Sequence, residues 1–330
     1  MQKRKLGSQG LEVPVLGLGC MGMTFAYNGG KADPEECLKV LDRSLELGIN
    51  FWDTAQSYGP FTNEELLGRA LKGRREKVIV ATKFAWKNGE AGPDTLDGSP
   101  ANARESLEGC LKRLGTDYVD LYYLHRKDPK IPIEETVGAM GQLVKEGKVR
   151  YIGLSEVGPV TLRKAHAVHP LTALQSEYSL WETGLEEKII PVLRELKIGL
   201  VAFSPVGRGF LTGQIKRFED IPENDMRRTL PRFQGENFAA NLKLVEAVTD
   251  LGASKGATAS QTALAWLLRQ GEDITAIPGT THVHHLEENA KAAEITLNEQ
   301  DLAGIQQILA KIPISGNRYS EMMAKMVSAE

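Results

Sequence analysis

Short apolar runs rich in branched and aromatic residues alternate with amphipathic stretches along nearly the whole chain. The runs fall at 15–18, 49–52, 78–81, 119–124, 149–153, 173–176, 199–203 and 274–277. Each has the length and composition of a strand buried on both faces. Between them, residues 34–47 carry Cys37, Leu38, Leu41, Leu45 and Leu47 at helical spacing, behind a Pro34 suited to a first helical turn. Similar patterns occupy 63–71, 101–114, 133–144, 160–167, 185–196, 241–251, 260–268 and 286–293. Gly48, Gly73, Gly115, Gly147 and Gly199 stand where these helices should stop. Residues 4–13 read as a hairpin turning at Gly7-Ser8-Gln9-Gly10, and 298–310 as a last helix.

Eight strand-then-helix units predict an α/β fold, a closed (β/α)8 TIM barrel with an N-terminal β-hairpin and an extra C-terminal helix. The competing arrangement is an open doubly wound sheet. No low-complexity linker divides the chain, so 1–330 reads as one domain. Two long loops, 84–100 and 207–235, follow strands, on the face where barrels do chemistry.

Composition narrows the functions. A net charge of −3 over 330 residues, with scattered basic residues, carries no nucleic-acid footprint. No apolar run nears the roughly 18 residues that cross a bilayer. The first residues lack the apolar core of a secretory signal, and Cys20, Cys37 and Cys110 are few, odd in number and far apart. These features predict a cytoplasmic protein with reduced thiols, Cys20 being a structural thiol rather than a nucleophile.

Gly17-Leu18-Gly19-Cys20-Met21-Gly22 matches a dinucleotide-binding pattern. That pattern needs a helix at its last glycine and an acid about 20 residues on. Here the helix waits for Pro34, so the glycines, with Gly22 and Met23, suit a turn at a barrel mouth where backbone can approach a ligand.

Asp53, Lys83 and His125 end the second, third and fourth strands, and Tyr58 follows the second. Singly they have ordinary readings: a turn-forming Asp, a packing Tyr, a solvated Lys, a core His. Together on one face they suit carbonyl reduction. Tyr58 would give a proton, Lys83 would lower its pKa, Asp53 would hold Lys83, and His125 would orient the carbonyl.

The run from Gly48 to Gly59, Ile49-Asn50-Phe51-Trp52-Asp53-Thr54-Ala55-Gln56-Ser57-Tyr58 between them, resembles the signature of the aldo-keto reductase superfamily. Asn63-Glu64-Glu65-Leu66-Leu67-Gly68 continues it, and Ala81-Thr82-Lys83 and Tyr123-Leu124-His125 match the rest of its catalytic tetrad. The likeness is greatest to the perakine-reductase-like and pyridoxal-reductase-like branch of bacteria and plants. It implies a barrel that binds NADP(H) extended, with NAD(H) as the second possibility.

By that resemblance Ser155, Glu156 and Gln175 would hold the nicotinamide carboxamide, with Asp53 beside them. Glu156 stands where many members have Asn; it can accept but not donate. Phe203 replaces the usual Tyr and keeps a face for stacking on the nicotinamide. Ser204, Pro205, Val206, Gly207, Arg208 and Gly209 resemble the loop over the diphosphate. Gly279, Thr280, Thr281, His285, Glu288 and Asn289 would surround the 2′-phosphate, with Gly279 and His285 where the family places basic residues. His282, His284 and His285 are spaced poorly for a metal, and none is expected.

Met23, Phe25, Trp86, Arg126, Tyr178 and Trp181 follow strands and could line a substrate cleft, along with Tyr58 and His125. The aromatic residues serve equally well as packing, and Arg126 as a solvent-facing cation. The expected partner is a small carbonyl or alcohol, not nucleic acid or membrane; oligomeric partners are not legible. Two alternatives stay in view: a cofactor-binding sensor barrel similar to potassium-channel β subunits, and a lyase or isomerase using Lys83 as a Schiff-base nucleophile.

Overall fold

A computed structural model of the chain describes residues 1–327. Strands β1 (Lys3–Leu6) and β2 (Leu11–Pro14) form the antiparallel hairpin, with Leu6 opposite Leu11. Eight parallel strands follow in chain order around one sheet. They are β3 (Leu18–Gly19), β4 (Phe51–Asp53), β5 (Ile79–Phe84), β6 (Val119–Leu124), β7 (Val149–Ser155), β8 (Ala173–Glu177), β9 (Gly199–Phe203) and β10 (Ile274–Ala276).

The sheet closes through single bridges, Leu16 to Ala276 and Gly19 to Gly279. Gly17 N donates to Ala276 O at 2.8 Å and Ala276 N to Val15 O at 3.2 Å. The expected strand 15–18 is therefore mostly a seam, with a ladder only at its end. The seam explains the glycine motif without a nucleotide. A Cβ on Gly19 would stand 2.7 Å from Ile277 O, one on Gly279 2.9 Å from Gly19 O, and one on Gly17 2.8 Å from the Phe51 ring. Only glycine lets the first and last strands meet this closely.

Around the barrel run α1 (Pro34–Glu46), α2 (Thr62–Leu71), α3 (Pro100–Leu114), α4 (Ile133–Lys145), α5 (Pro159–Val168), α6 (Leu185–Leu196), α7 (Gly235–Ala253), α8 (Ala259–Leu268) and α9 (Val283–Lys291). Helix α10 (Glu299–Lys311) and the short α11 (Glu321–Ala324) follow. The Asp33 side chain accepts from Glu35 N to start α1, and Thr258 with Gln261 forms a capping box on α8. Helix α7 starts well before the expected residue 241. The expectation that Gly199 ends a helix fails: Lys197 takes the left-handed turn after α6. Gly199 is small because a Cβ there would lie 2.9 Å from Leu6 Cα.

One apolar layer lies between strands and helices. A second fills the barrel: Leu6, Leu11 and Val13 from the hairpin meet Phe51, Ala81, Leu121, Tyr123, Ala173, Val201 and Ile277. The hairpin thus plugs the amino end. Side chains alternate along a strand, so residues two further on share the inward face. Two residues beyond Phe51, Ala81, Tyr123, Ala173 and Val201 stand Asp53, Lys83, His125, Gln175 and Phe203. The period of two that builds the core also lifts these groups to the open end.

After α10 the chain returns across that end. Ser315 N donates to Asn241 Oδ1 at 2.9 Å, Asn241 Nδ2 to Ser315 O at 2.9 Å, and Ser315 Oγ to Asn237 Oδ1 at 2.6 Å. This stitching to α7 delivers Arg318 and Tyr319 to the mouth. Among the described residues no helix is long and apolar enough to cross a membrane.

Candidate active site

The loop after β4 is shaped from within the barrel. Gln56 N donates to Lys83 O at 3.1 Å, and Tyr58 N to Ala55 O at 3.1 Å. Asn63 accepts from Thr54 Oγ1 at 2.6 Å and donates to Cys20 O and Thr24 Oγ1, each at 2.9 Å. This one buried amide ties both ends of the Tyr58 loop to the neighbouring loop.

Lys83 is fully buried and spends all three ammonium protons. They go to Asp53 Oδ1, to Thr54 O at 2.8 Å and to Tyr58 Oη at 3.1 Å. Asp53 Oδ2 accepts from Gln175 Nε2 at 2.7 Å. Burial disfavours the Lys83 charge, but the Asp53 and Tyr58 oxygens outweigh it and hold the ammonium pKa above its ordinary value. Because Tyr58 Oη accepts from Lys83, its own proton is directed elsewhere.

The expected lowering of the Tyr58 pKa does not prevail. Burial, the largest influence, pushes it up; Lys83 pulls it down, Asp53 adds to the rise, and Arg126 is a smaller pull. In this state the residue is a protonated phenol at neutral pH. The His125 ring stands edge-on to Tyr58 at 5.9 Å and to Trp86 at 4.9 Å. Burial, then the charges of Arg126 and Lys83, hold its pKa well below the usual histidine range, so the imidazole is neutral. Its Nδ1 is buried without a hydrogen-bond partner among the described residues.

Ser155 and Gln175 are Cα partners on β7 and β8. One offers a hydroxyl; the other turns its NH₂ to Asp53 and keeps a carbonyl oxygen. That donor and acceptor, side by side, fit a primary carboxamide. Phe203 is half-buried at the end of β9 beside them.

Glu156 departs from expectation. Its carboxylate receives both arms of Arg318, one at 3.1 Å, plus Glu177 N at 3.0 Å and Tyr319 Oη at 3.4 Å. Burial alone would raise its pKa, but Arg318 and then Arg126 hold it below the ordinary range. Its lone pairs are committed to the carboxyl-terminal segment, so it is not placed to serve a carboxamide.

Arg208 is corrected likewise: its buried guanidinium pairs with Glu177 at 3.0 Å rather than standing open to a diphosphate. Gly207 N and Gly209 N close turns on Ser204 O and Val206 O. Ser204, at φ 49, and Arg208, at φ 56, hold left-handed conformations that cost side-chain-bearing residues. Pro205 is buried and Val206 half-buried in the same turn.

At the other anion position, Thr280 Oγ1 accepts from His282 N at 3.1 Å, and α9 begins with no side-chain cap on its first amides. Such an end attracts an anion. Thr281 is half-buried and His285 exposed near it. Glu288 is drawn aside by Thr258 Oγ1 at 2.6 Å, and Asn289 is buried. Among the described residues no group of three His, Cys, Asp or Glu could hold a metal ion.

Of the cleft residues, Phe25 is exposed and stacks on Tyr58 at 6.2 Å. Trp86 backs His125. Trp181 instead packs in an aromatic cluster, stacked on Phe210 at 4.4 Å with Phe233 edge-on at 5.1 Å. Tyr178 turns outward to Glu186. Met23 lies in the core, and a Cβ on Gly22 would meet the Tyr27 ring at 3.1 Å. Arg318, Tyr319 and Glu177 were not foreseen. Their pairings span up to 163 positions, and no local pattern marks them.

Known proteins agree with this architecture. The sequence profile of the aldo/keto reductase family matches residues 15–310. A protein named probable aldo-keto reductase 1, from Glycine max, is 47% identical over 320 residues, 97% of this chain and 92% of its own. The solved glycerol dehydrogenase of Gluconobacter oxydans is similar at TM-score 0.85 and 27% identity, over 97% of this chain and 98% of that one. A thermostable aldo-keto reductase crystallised with the inhibitor epalrestat is similar at TM-score 0.75 and 33% identity, over 93% and 100%.

Proposed function

The chain belongs to the aldo/keto reductase family, and from that premise we propose that it reduces an aldehyde or ketone to the alcohol with Tyr58 as general acid. The observation that carries this is the saturation of Lys83. With three acceptors on one ammonium, Tyr58 Oη must accept there and send its proton outward. A proton aimed at the mouth, with a fixed cation behind it, is what a developing alkoxide requires.

The preferred cofactor in this reading is NADPH, with NADH second. When bound, it supplies the hydride. Ser155 and Gln175 would hold its carboxamide, Phe203 would offer a stacking face, and Thr280, Thr281 and the amino end of α9 would receive the 2′-phosphate. Neutral His125 would donate a hydrogen bond to the carbonyl oxygen and fix its direction. Lys83 would then stabilise the Tyr58 phenolate left after proton transfer. Asp53 would keep Lys83 charged, and Gln175 would keep Asp53 in place. We read residues 1–330 as one domain that works in the cytoplasm, consistent with three free, buried cysteines.

The Schiff-base alternative needs a neutral, accessible amine, whereas Lys83 is buried and held charged. Oxidation of NADPH, followed by absorbance with a panel of aldehydes, tests the proposal. Aldehyde-dependent consumption is expected; cofactor binding with no turnover would favour the sensor barrel instead.

A further inference from the structure

The arginines at the mouth fall into two groups. Arg208 pairs with Glu177 at 3.0 Å, Arg227 with Asp225 at 2.7 Å and Arg232 with Glu182 at 2.8 Å. Arg318 is spent on Glu156. Arg126 is half-buried, yet has no carboxylate within ion-pair distance among the described residues. Glu156, whose carboxylate feels the Arg126 charge, is already bonded to Arg318, Glu177 N and Tyr319.

Arg126 is nonetheless held in place. Its Nη1 donates to His125 O at 2.6 Å and to Ser155 Oγ at 3.2 Å. Two anchors on one nitrogen fix the guanidinium plane. Nε and Nη2 have no partner among the described residues, and they form the edge with two parallel N–H groups. That edge matches the two oxygens of a carboxylate. The charge also acts at Tyr58 and at His125, so it lies close to the reacting groups. Phe25 stacked on Tyr58 and Trp86 against His125 supply apolar faces for the rest of a small molecule.

We propose that Arg126 is a specificity-determining residue and that the preferred substrate is an aldehyde or ketone bearing a carboxylate a few bonds from its carbonyl. The carboxylate takes the Nε–Nη2 edge while the carbonyl oxygen faces Tyr58 and His125. This rests on the reductase reading above. A bound reduced nicotinamide would supply the hydride to the carbonyl carbon and be left oxidised, while the C=O π pair would move to oxygen and that oxygen would take the Tyr58 proton. The phenolate is reprotonated from solvent, and the carboxylate is unchanged.

The test compares 4-carboxybenzaldehyde with its uncharged ester, methyl 4-formylbenzoate, using NADPH. The wild-type protein is expected to favour the acid by about 10-fold or more in kcat/KM, the worth of a charge-assisted hydrogen bond. Arg126→Met should bring the ratio to about 1, and Arg126→Lys should fall between, because charge remains without the fork. A wild-type ratio of 1 or less, or a ratio that survives Arg126→Met, overturns the proposal. So does a rise in cofactor KM with the ratio untouched, which would assign Arg126 to the cofactor. If Arg126→Met does not fold, wild-type inhibition decides: benzoate should inhibit ester reduction at a concentration about 10-fold lower than benzamide, and equal inhibition refutes the idea. If neither aldehyde is turned over, the reductase reading fails by itself. Benzoate binding, followed by tryptophan fluorescence, then tests Arg126: saturable quenching that benzamide does not produce supports it, and no quenching overturns it.

Discussion

Two buried ionic clusters share the mouth of this barrel, and they end differently. In the first, Asp53, Lys83, Tyr58 and Gln175 form a chain of donors and acceptors that leaves the Tyr58 proton over at one end and the Gln175 carbonyl oxygen at the other. In the second, Glu156 and Glu177 are answered by Arg318 and Arg208, with Tyr319 filling in beside Glu156, and each carboxylate is held by a guanidinium. Both bury charge at a cost that only good geometry offsets. A cluster with a remainder can do chemistry. A cluster without one fastens a segment of chain.

Breaking the first cluster should have the largest effect. Lys83→Met removes the cation behind Tyr58 and strands the Asp53 carboxylate. Steady-state kinetics should show kcat/KM for aldehyde reduction lower by about 10³-fold. Breaking the second should be felt chiefly in stability. Arg318→Met leaves Glu156 buried and unpaired, which costs about 3 kcal/mol. Denaturant titration should detect that loss, while kcat changes far less than in the Lys83 variant.

The pH profile sharpens the contrast, because it senses Tyr58 of the first cluster and the neighbouring His125, and not the second cluster. Reduction needs Tyr58 protonated, and its pKa is raised above the usual 10.0, so activity should fall only above that value. It also needs neutral His125, whose pKa is well below 6.5, so acid loss should begin well below 6.5. A kcat/KM plateau between these limits is the expected result. The smallest effect lies outside both clusters. Partial desolvation on the helix surface and the neighbouring His284 and His282 keep the His285 pKa below its ordinary value, so it offers little charge at neutral pH. His285→Arg should tighten NADPH relative to NADH by several-fold, about 1 kcal/mol of added charge pairing. Fluorescence titration with both cofactors would measure the ratio.

The first cluster was legible because it is written in strands. Asp53, Lys83 and His125 sit two places beyond core residues, and a period of two carries them to one face; Gln175 shares that face but was marked only by the family resemblance. The strand count and the hairpin were readable for the same reason. The second cluster was not readable. Glu156 looked like a cofactor contact because Ser155 precedes it, yet Arg318, far along the chain, claims it. Arg208 looked open because its loop is rich in glycine, and Glu177 at the end of β8 gave no sign of closing on it. Long-range ion pairs leave no periodic trace. Trp181 failed for a related reason: an aromatic after a strand reads alike whether it faces solvent or, as here, a cluster of phenylalanines.

The most direct test of the account is Tyr58→Phe, assayed together for cofactor binding and for hydride transfer in a single turnover. The phenol hydroxyl is lost and the ring is kept. NADPH binding near the wild-type level and a hydride-transfer rate lower by about 10³-fold are expected. Transfer at the wild-type rate in this variant would show that the outward-pointing proton of Tyr58 is not the one the reaction uses.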